Sequence, residues 1–216
     1  MKTARKVLIL ALCAVLLVSI SVMGTMAYLT SQASVTNTFT VGKVGIELDE
    51  ALVDANGKEI TGENAKRVKE NKYKLLPGLD YDKDPMVTVL KDSEKSYIRM
   101  TVTVSKAKEL DAIFAPAGAN LLSIFNGYDG ATWLYKGDTD NADNTRTYEF
   151  WYKEAVAAPD ADVALDALFD SITVPGSITN AQLATIEGMT ITVNAYAIQA
   201  DGFGTADLAW AAYPAA

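Results

Sequence analysis

The sequence predicts an all-β fold: a jelly-roll-like two-sheet sandwich with a few short helices, preceded by an N-terminal signal helix. Three observations predict it. Apolar residues recur mainly with period two, as strands require when one face is buried. Turn-forming pairs (Asn56-Gly57, Pro77-Gly78, Asp84-Pro85, Gly137-Asp138, Pro175-Gly176) punctuate the chain between those runs. Helical periodicity is scarce. Seven or eight strands over about 165 residues, joined by long connections, suit a sandwich better than a helical or α/β design.

The first element is an address. Lys2, Arg5 and Lys6 form a positive start, and Val7 to Met23 is an apolar run interrupted only by Ser19 and Ser21. Thr25-Met26-Ala27 then places small side chains at the −3 and −1 positions of a signal cleavage site. Cleavage is expected between Ala27 and Tyr28. Retention as a membrane anchor is the alternative, because the run sits at the lower limit for spanning. A lipoprotein at Cys13 is a third reading, disfavoured by the bulky Leu12 before it. The remainder, 28–216, reads as one jelly-roll-like domain whose first part, 28–41, is an extended arm.

Within Val35 to Asp49 the apolar parity changes. Phe39 and Val41 are odd, whereas Val44, Ile46 and Leu48 are even. A break or bulge at Gly42-Lys43 produces that shift, so two strand pieces are expected. The strongest strand is Tyr97–Ser105, where Ile98, Met100, Val102 and Val104 alternate with a threonine-rich face. Thr145–Lys153 and Met189–Ala200 follow the same rule. Lys72–Leu76, Met86–Lys91, Thr132–Lys136 and Leu168–Val174 are weaker strand candidates. Short helices are expected at Lys106–Phe114, at Asn120–Phe125, at Ala181–Glu187 capped by Asn180, and at Thr205–Ala212.

Composition excludes much chemistry. The chain has no histidine, so no Ser-His-Asp triad, Cys-His dyad or His-ligated zinc can be built. Cys13 is the single cysteine, which rules out an internal disulfide. After cleavage no thiol remains, and the core must carry stability unaided. The formal charge of −8 argues against a nucleic-acid binder. That charge is uneven: the basic residues Lys58, Lys66, Arg67, Lys69, Lys72 and Lys74 cluster early, and acids dominate after Lys136. The cluster reads as a solvated loop, or as one pole of a head-to-tail electrostatic attraction.

Two further constellations are candidate sites. Asp138, Asp140, Asn144 and Glu149 have oxygen ligands at spacings that echo a calcium loop, although Ala142 and Asp143 depart from that pattern. A solvated loop between two strands is the plainer reading. Tyr148, Phe150, Trp151 and Tyr152 make an aromatic ladder that suits either sugar stacking or cross-strand packing. No pair of carboxylates stands out as a hydrolytic couple. No cofactor is expected and no enzyme activity is assigned.

The run Gly24-Thr25-Met26-Ala27-Tyr28-Leu29-Thr30, with Thr36-Asn37-Thr38-Phe39-Thr40-Val41-Gly42 after it, resembles the leader and mature start of the TasA/camelysin family. Leu76-Pro77-Gly78, Lys83-Asp84-Pro85, Tyr97-Ile98-Arg99 and Ala195 to Phe203 are similar to later segments of that family, so the likeness spans nearly the whole chain. The resemblance implies a SipW-type signal peptidase as processing partner and export from a Gram-positive cell. It further implies a place on the cell surface or in the biofilm matrix, with fibres built from copies of the chain and related matrix proteins. The membrane would be met only through the uncleaved leader. In such fibres an N-terminal arm adds a strand to the next subunit. Here the arm would present Val35, Thr38, Phe39 and Val41. Tyr28–Val41 has no charge and no proline, and at ~3.3 Å per residue it extends ~46 Å, against a domain diameter of roughly 40 Å. The metallo-endopeptidase label of the camelysin branch gains little from a chain without an HExxH motif. The alternative function is a monomeric surface-binding module that recognises a polysaccharide or a host protein.

Overall fold

The structure, a computed structural model, describes residues 2–27, 42–114 and 121–214. It divides into two compact units, Met1–Val41 and Gly42–Ala216. In the first, α1 (Lys2–Ala27) is one continuous helix over the expected leader. Among the described residues no helix is long and apolar enough to cross a membrane. Ala27 is its last residue, and Tyr28, Val35, Thr38, Phe39 and Val41 lie outside the described residues.

The second unit is mostly β, in antiparallel sheets. Its strands are β1 (Ile46–Ala51), β2 (Arg67–Val68), β3 (Asp80–Asp82), β4 (Met86–Val89), β5 (Ser93–Ser105) and β6 (Phe125–Asn126). They continue with β7 (Trp133–Asp140), β8 (Thr145–Tyr152), β9 (Val156–Ala158), β10 (Val163–Ala164), β11 (Ser171–Thr173) and β12 (Ile191–Gln199). The helices are α2 (Ala107–Phe114), α3 (Asn180–Thr185) and α4 (Ala206–Ala212).

β5 is the spine, because its alternation runs longest. On one side it pairs with β12 along nine positions, from Ile191↔Val104 to Gln199↔Ser96. On the other it meets β8 and then β9, with β7 beyond β8. Ile98, Met100, Val102 and Val104 point inward and are fully buried, as are Val87 and Val89 of β4. Each such aliphatic side chain contributes about 1.5–3 kcal/mol on leaving water. A second sheet in the order β10-β4-β1-β2 and a third in the order β3-β11-β6 complete the packing among the described residues. Phe125 of the third sheet stacks on Phe169 at 4.6 Å and meets Tyr148 edge-on at 5.8 Å, joining the sheets in one core.

The outer face of β5 is partly covered by α4. Thr205 caps that helix by accepting from the Leu208 N–H. The guanidinium carbon of Arg99 lies 4.5 Å from the Trp210 ring, 5.0 Å from Tyr196 and 5.2 Å from Tyr213.

Several expectations needed correction. Lys72–Leu76 is not a strand. Its alternation is real, with Tyr73 and Leu75 half-buried and Lys72 and Lys74 exposed. The buried Tyr81 hydroxyl, however, donates to the Lys74 carbonyl at 2.8 Å and accepts from the Leu76 N–H at 2.5 Å. Those backbone groups therefore find a side chain, not a neighbouring strand. Thr132–Lys136 extends to Asp140, since Gly137, at φ 121°, absorbs a bulge and lets the acidic stretch keep pairing with β8. The cap of α3 is Thr179, not Asn180. Thr179 Oγ1 accepts from the Gln182 N–H at 3.2 Å, and the Gln182 side chain accepts from the Thr179 N–H at 3.0 Å. Of the two strand pieces expected across Gly42, the later begins at Ile46 and the earlier lies outside the described residues. The expected helix at Asn120–Phe125 is a short 3-10 turn, Leu121–Ile124.

Candidate functional site

A concave feature lies at the start of β12, beside Ile191, Thr192 and Val193. The ladder register, with the Ser105 N–H donating to Thr190 O at 3.0 Å and the Ala200 N–H to Lys95 O at 2.7 Å, turns even-numbered residues of β12 toward β5. The N–H and C=O groups of Ile191, Val193, Ala195 and Ala197 point the other way. Among the described residues no strand pairs with them.

Beside this edge lies a groove of about 1230 Å³. That exceeds the ~300–1,000 Å³ typical of small-molecule sites. Its apolar floor includes Leu48, Tyr73, Leu75, Leu183, Ile191 and Val193, all half-buried or packed on the core. Lys69, Lys72 and Lys74 stand on its exposed rim. The early basic cluster is therefore divided: three lysines border the groove alongside Glu70 and Glu187, Lys69 lies 3.4 Å from Glu47, Lys58 pairs with Asp82 at 2.9 Å, and Arg67 is half-buried.

The wall toward β1 is charged but mutually satisfied. Arg67 binds Asp49 through Nε and Asp84 through Nη1 at 2.7 Å, and it also donates to both backbone carbonyls. Desolvation opposes its charge, yet the hydrogen bonds to Asp49 and Asp84 outweigh that and keep its pKa above the ordinary value. Lys83 and Glu50 form a buried ion pair, and Asn71 donates to Glu50 at 2.9 Å. Burial, with Glu50 and Asp84 nearby, pushes the Tyr73 hydroxyl pKa well up, so it stays protonated. Nothing in the sequence singled out this network, because its partners are 17 to 33 residues apart.

The four residues considered for calcium are not brought to one place. Asp140 pairs with Arg146 across the β7–β8 ladder at 2.6 Å, and Asp138 accepts from the Tyr135 hydroxyl while lying 3.6 Å from Arg146. Arg146 is also held bidentately by Asp111 at 3.0 and 2.9 Å. Hydrogen bonds to Asp140 and Asp111 raise its pKa above the ordinary value. Asn144, at φ 63°, donates to Glu109 at 2.7 Å and accepts from the Lys108 N–H at 3.1 Å. Glu149 stands opposite Gly137, one position out of phase with the Asp138↔Tyr148 pair. Its side chain therefore emerges on the other face, against Arg99 and the Trp151 indole N–H. Among the described residues no group of three or more histidines, cysteines or acids is arranged to hold a metal.

The aromatic ladder is likewise split by the pleat. Tyr148 and Phe150 are core residues, and Tyr152 packs edge-on against the buried Trp133 at 5.0 Å. Trp151 alone reaches the outer face, where the Lys136 ammonium covers its ring at 4.0 Å. A sugar would have to displace that lysine. The Arg99–Trp210 cluster beside it had no sequence signal beyond a tryptophan in a short C-terminal helix.

Comparison with protein-family models, curated proteins and solved structures finds no match for this chain, so the TasA/camelysin likeness rests on the residues quoted for it.

Proposed function

We propose that the chain is an exported structural subunit with a jelly-roll-like domain. Copies assemble into fibres when the arm Tyr28–Val41 of one adds a strand along β12 of the next. It acts as a building block of a cell-surface or biofilm matrix, not as an enzyme. One observation carries the reading: β12 is a nine-residue strand whose outer edge is unpaired among the described residues, and its first three residues border a groove with an apolar floor.

The chemistry of the arm suits that edge. A nine-residue strand spans ~30 Å, so a ~46 Å arm covers it with several residues left to bridge two subunits. Val35, Phe39 and Val41 share one parity and would face the groove floor, while Thr36, Thr38 and Thr40 would face water. The outward N–H and C=O groups of β12 would gain partners, which is the usual driving force at an open edge. The lysines on the groove rim and the acids that follow Lys136 add a long-range attraction between copies.

Electron microscopy of the purified chain starting at Tyr28 tests this. Filaments are expected, and they should disappear when 28–41 is deleted while the remaining domain stays folded. Filaments that persist without 28–41 remove the donor role. Monodisperse monomers at every pH and concentration favour the surface-binding alternative.

A further inference from the structure

The pair Lys83–Glu50 is unusual in how little water it sees: the two side chains are only 8% and 9% exposed. Lysine is almost never so buried without a specific reason. An ion pair in that setting gives little net stability, since desolvating both charges offsets their attraction. A third residue completes the arrangement. The amide of Asn71 donates through Nδ2 to Glu50 Oε1 at 2.9 Å and to the Ala51 carbonyl at 2.8 Å, while its Oδ1 accepts from the Val53 N–H at 3.1 Å. These three bonds fix which end of the amide is nitrogen. One carboxylate thus bridges an amine on one oxygen and a carboxamide nitrogen on the other.

We propose that Lys83 and Asn71 form an intramolecular amide cross-link, promoted by Glu50. Every part the reaction needs is present. Glu50 takes a proton from the Lys83 ammonium, leaving a neutral amine whose lone pair attacks Asn71 Cγ. The carbonyl π electrons move to Oδ1, where the Val53 N–H stabilises the developing negative charge. The tetrahedral centre then collapses: Cγ–Nδ2 breaks, the Nζ–Cγ bond remains, and Glu50 returns its proton to the departing nitrogen. The second proton lost by Nζ accompanies it, so an ammonium ion leaves and Glu50 is again a carboxylate. Lysine ammonium plus asparagine amide gives a secondary amide plus ammonium, with no change of oxidation state and no co-reactant. The shared carboxylate brings the two reactants to one place, and such positioning can stand in for chemical activation.

The backbone holds all three residues. Glu50 sits in β1 opposite Val68, Asn71 follows β2 by three residues, and the Lys83 N–H donates to Asp170 O at 3.0 Å. The bond would tie the groove wall at Asn71–Leu75 to the segment between β3 and β4. It would give a chain with no disulfide available a covalent staple of another kind. This inference does not depend on assembly and stands or falls separately from it.

The test is peptide mapping with intact-mass measurement on the full chain under denaturing, reducing conditions. The expected result is a branched peptide joining residues 71 and 83, and a chain lighter by one ammonia. Glu50→Gln, Asn71→Ser and Lys83→Met should each restore the full mass and abolish the branch. The wild-type map decides the matter even if a variant fails to fold. Linear peptides that account for all Asn71 and Lys83 overturn the proposal. So does loss of ammonia without a branch, which marks a succinimide at Asn71. Loss of water with a Lys83–Glu50 branch overturns it as well, since the carboxylate would then be the electrophile.

Discussion

The two edges of the β12-β5-β8-β7 sheet are built in opposite ways. β7 carries Lys136, Asp138 and Asp140 and is bent by a bulge at Gly137. Its acids converge on Arg146. Charge and bulges are the usual devices that stop an edge from recruiting another strand. β12 reads Ile-Thr-Val-Asn-Ala-Tyr-Ala-Ile-Gln, with no charge, proline or glycine, and pairs with β5 without a break in register. One sheet therefore has a guarded side and a receptive side. Under the proposed function, strand addition along β12 alone would make assembly directional, with one acceptor per copy.

That contrast can be broken or sharpened by mutation. The largest effect is expected from Val193→Pro. The Val193 N–H points away from β5, so proline removes no internal ladder bond but denies one to an incoming strand. Filaments should vanish in electron microscopy while circular dichroism stays that of the folded domain. Intact filaments would show that assembly uses some other edge. Next is Phe150→Ala in β8, midway between the edges and 1% exposed. A cavity there should cost about 3–5 kcal/mol in urea unfolding, undermining both edges together and separating fold loss from edge loss.

Smaller effects concern the guarded side. The hydrogen bond from Arg146 holds the Asp140 carboxyl below its ordinary value of 3.8, and the Thr145 hydroxyl does the same for Asp143. A depressed carboxylate stabilises the fold fully above the unfolded value and loses that contribution as pH falls through the folded value. Urea midpoints should therefore be flat from neutrality to about pH 5 and decline below about pH 4. Asp140→Asn should make the decline shallower, and a steeper one would reverse the sign of this pairing. The smallest effect is expected from Thr179→Ala, which removes the capping box of the helix flanking the receptive side. Chemical denaturation should register about 1 kcal/mol.

The spine of the fold was legible because β5, β8 and β12 each bury one face, and burial writes itself as alternation. The short strands β2, β3, β9 and β10 were not, since two or three residues cannot display a period. Lys72–Leu76 misled for a specific reason: alternation reports which side chains are buried, not what the backbone bonds to, and here a tyrosine hydroxyl intervened. Gly137-Asp138 looked like a turn, yet a single residue with positive φ let the strand continue. The receptive edge was legible only in part. The composition of β12 was visible, but the groove beside it needs Tyr73, Leu75 and Leu183 brought together by tertiary packing. The Asn71–Glu50–Lys83 arrangement was invisible, because no local pattern links residues drawn from three separate segments.

The β5–β12 ladder also sets a timetable. Its members are distant in the chain: Ser105 and Thr190, hydrogen-bonded neighbours, are 85 residues apart. Closing so wide a loop delays the central pairing relative to folds made of local contacts. A polypeptide that emerges N-terminus first thus cannot complete this ladder until residues beyond 190 are free, and under the proposed function the acceptor edge would come into being only at that last moment.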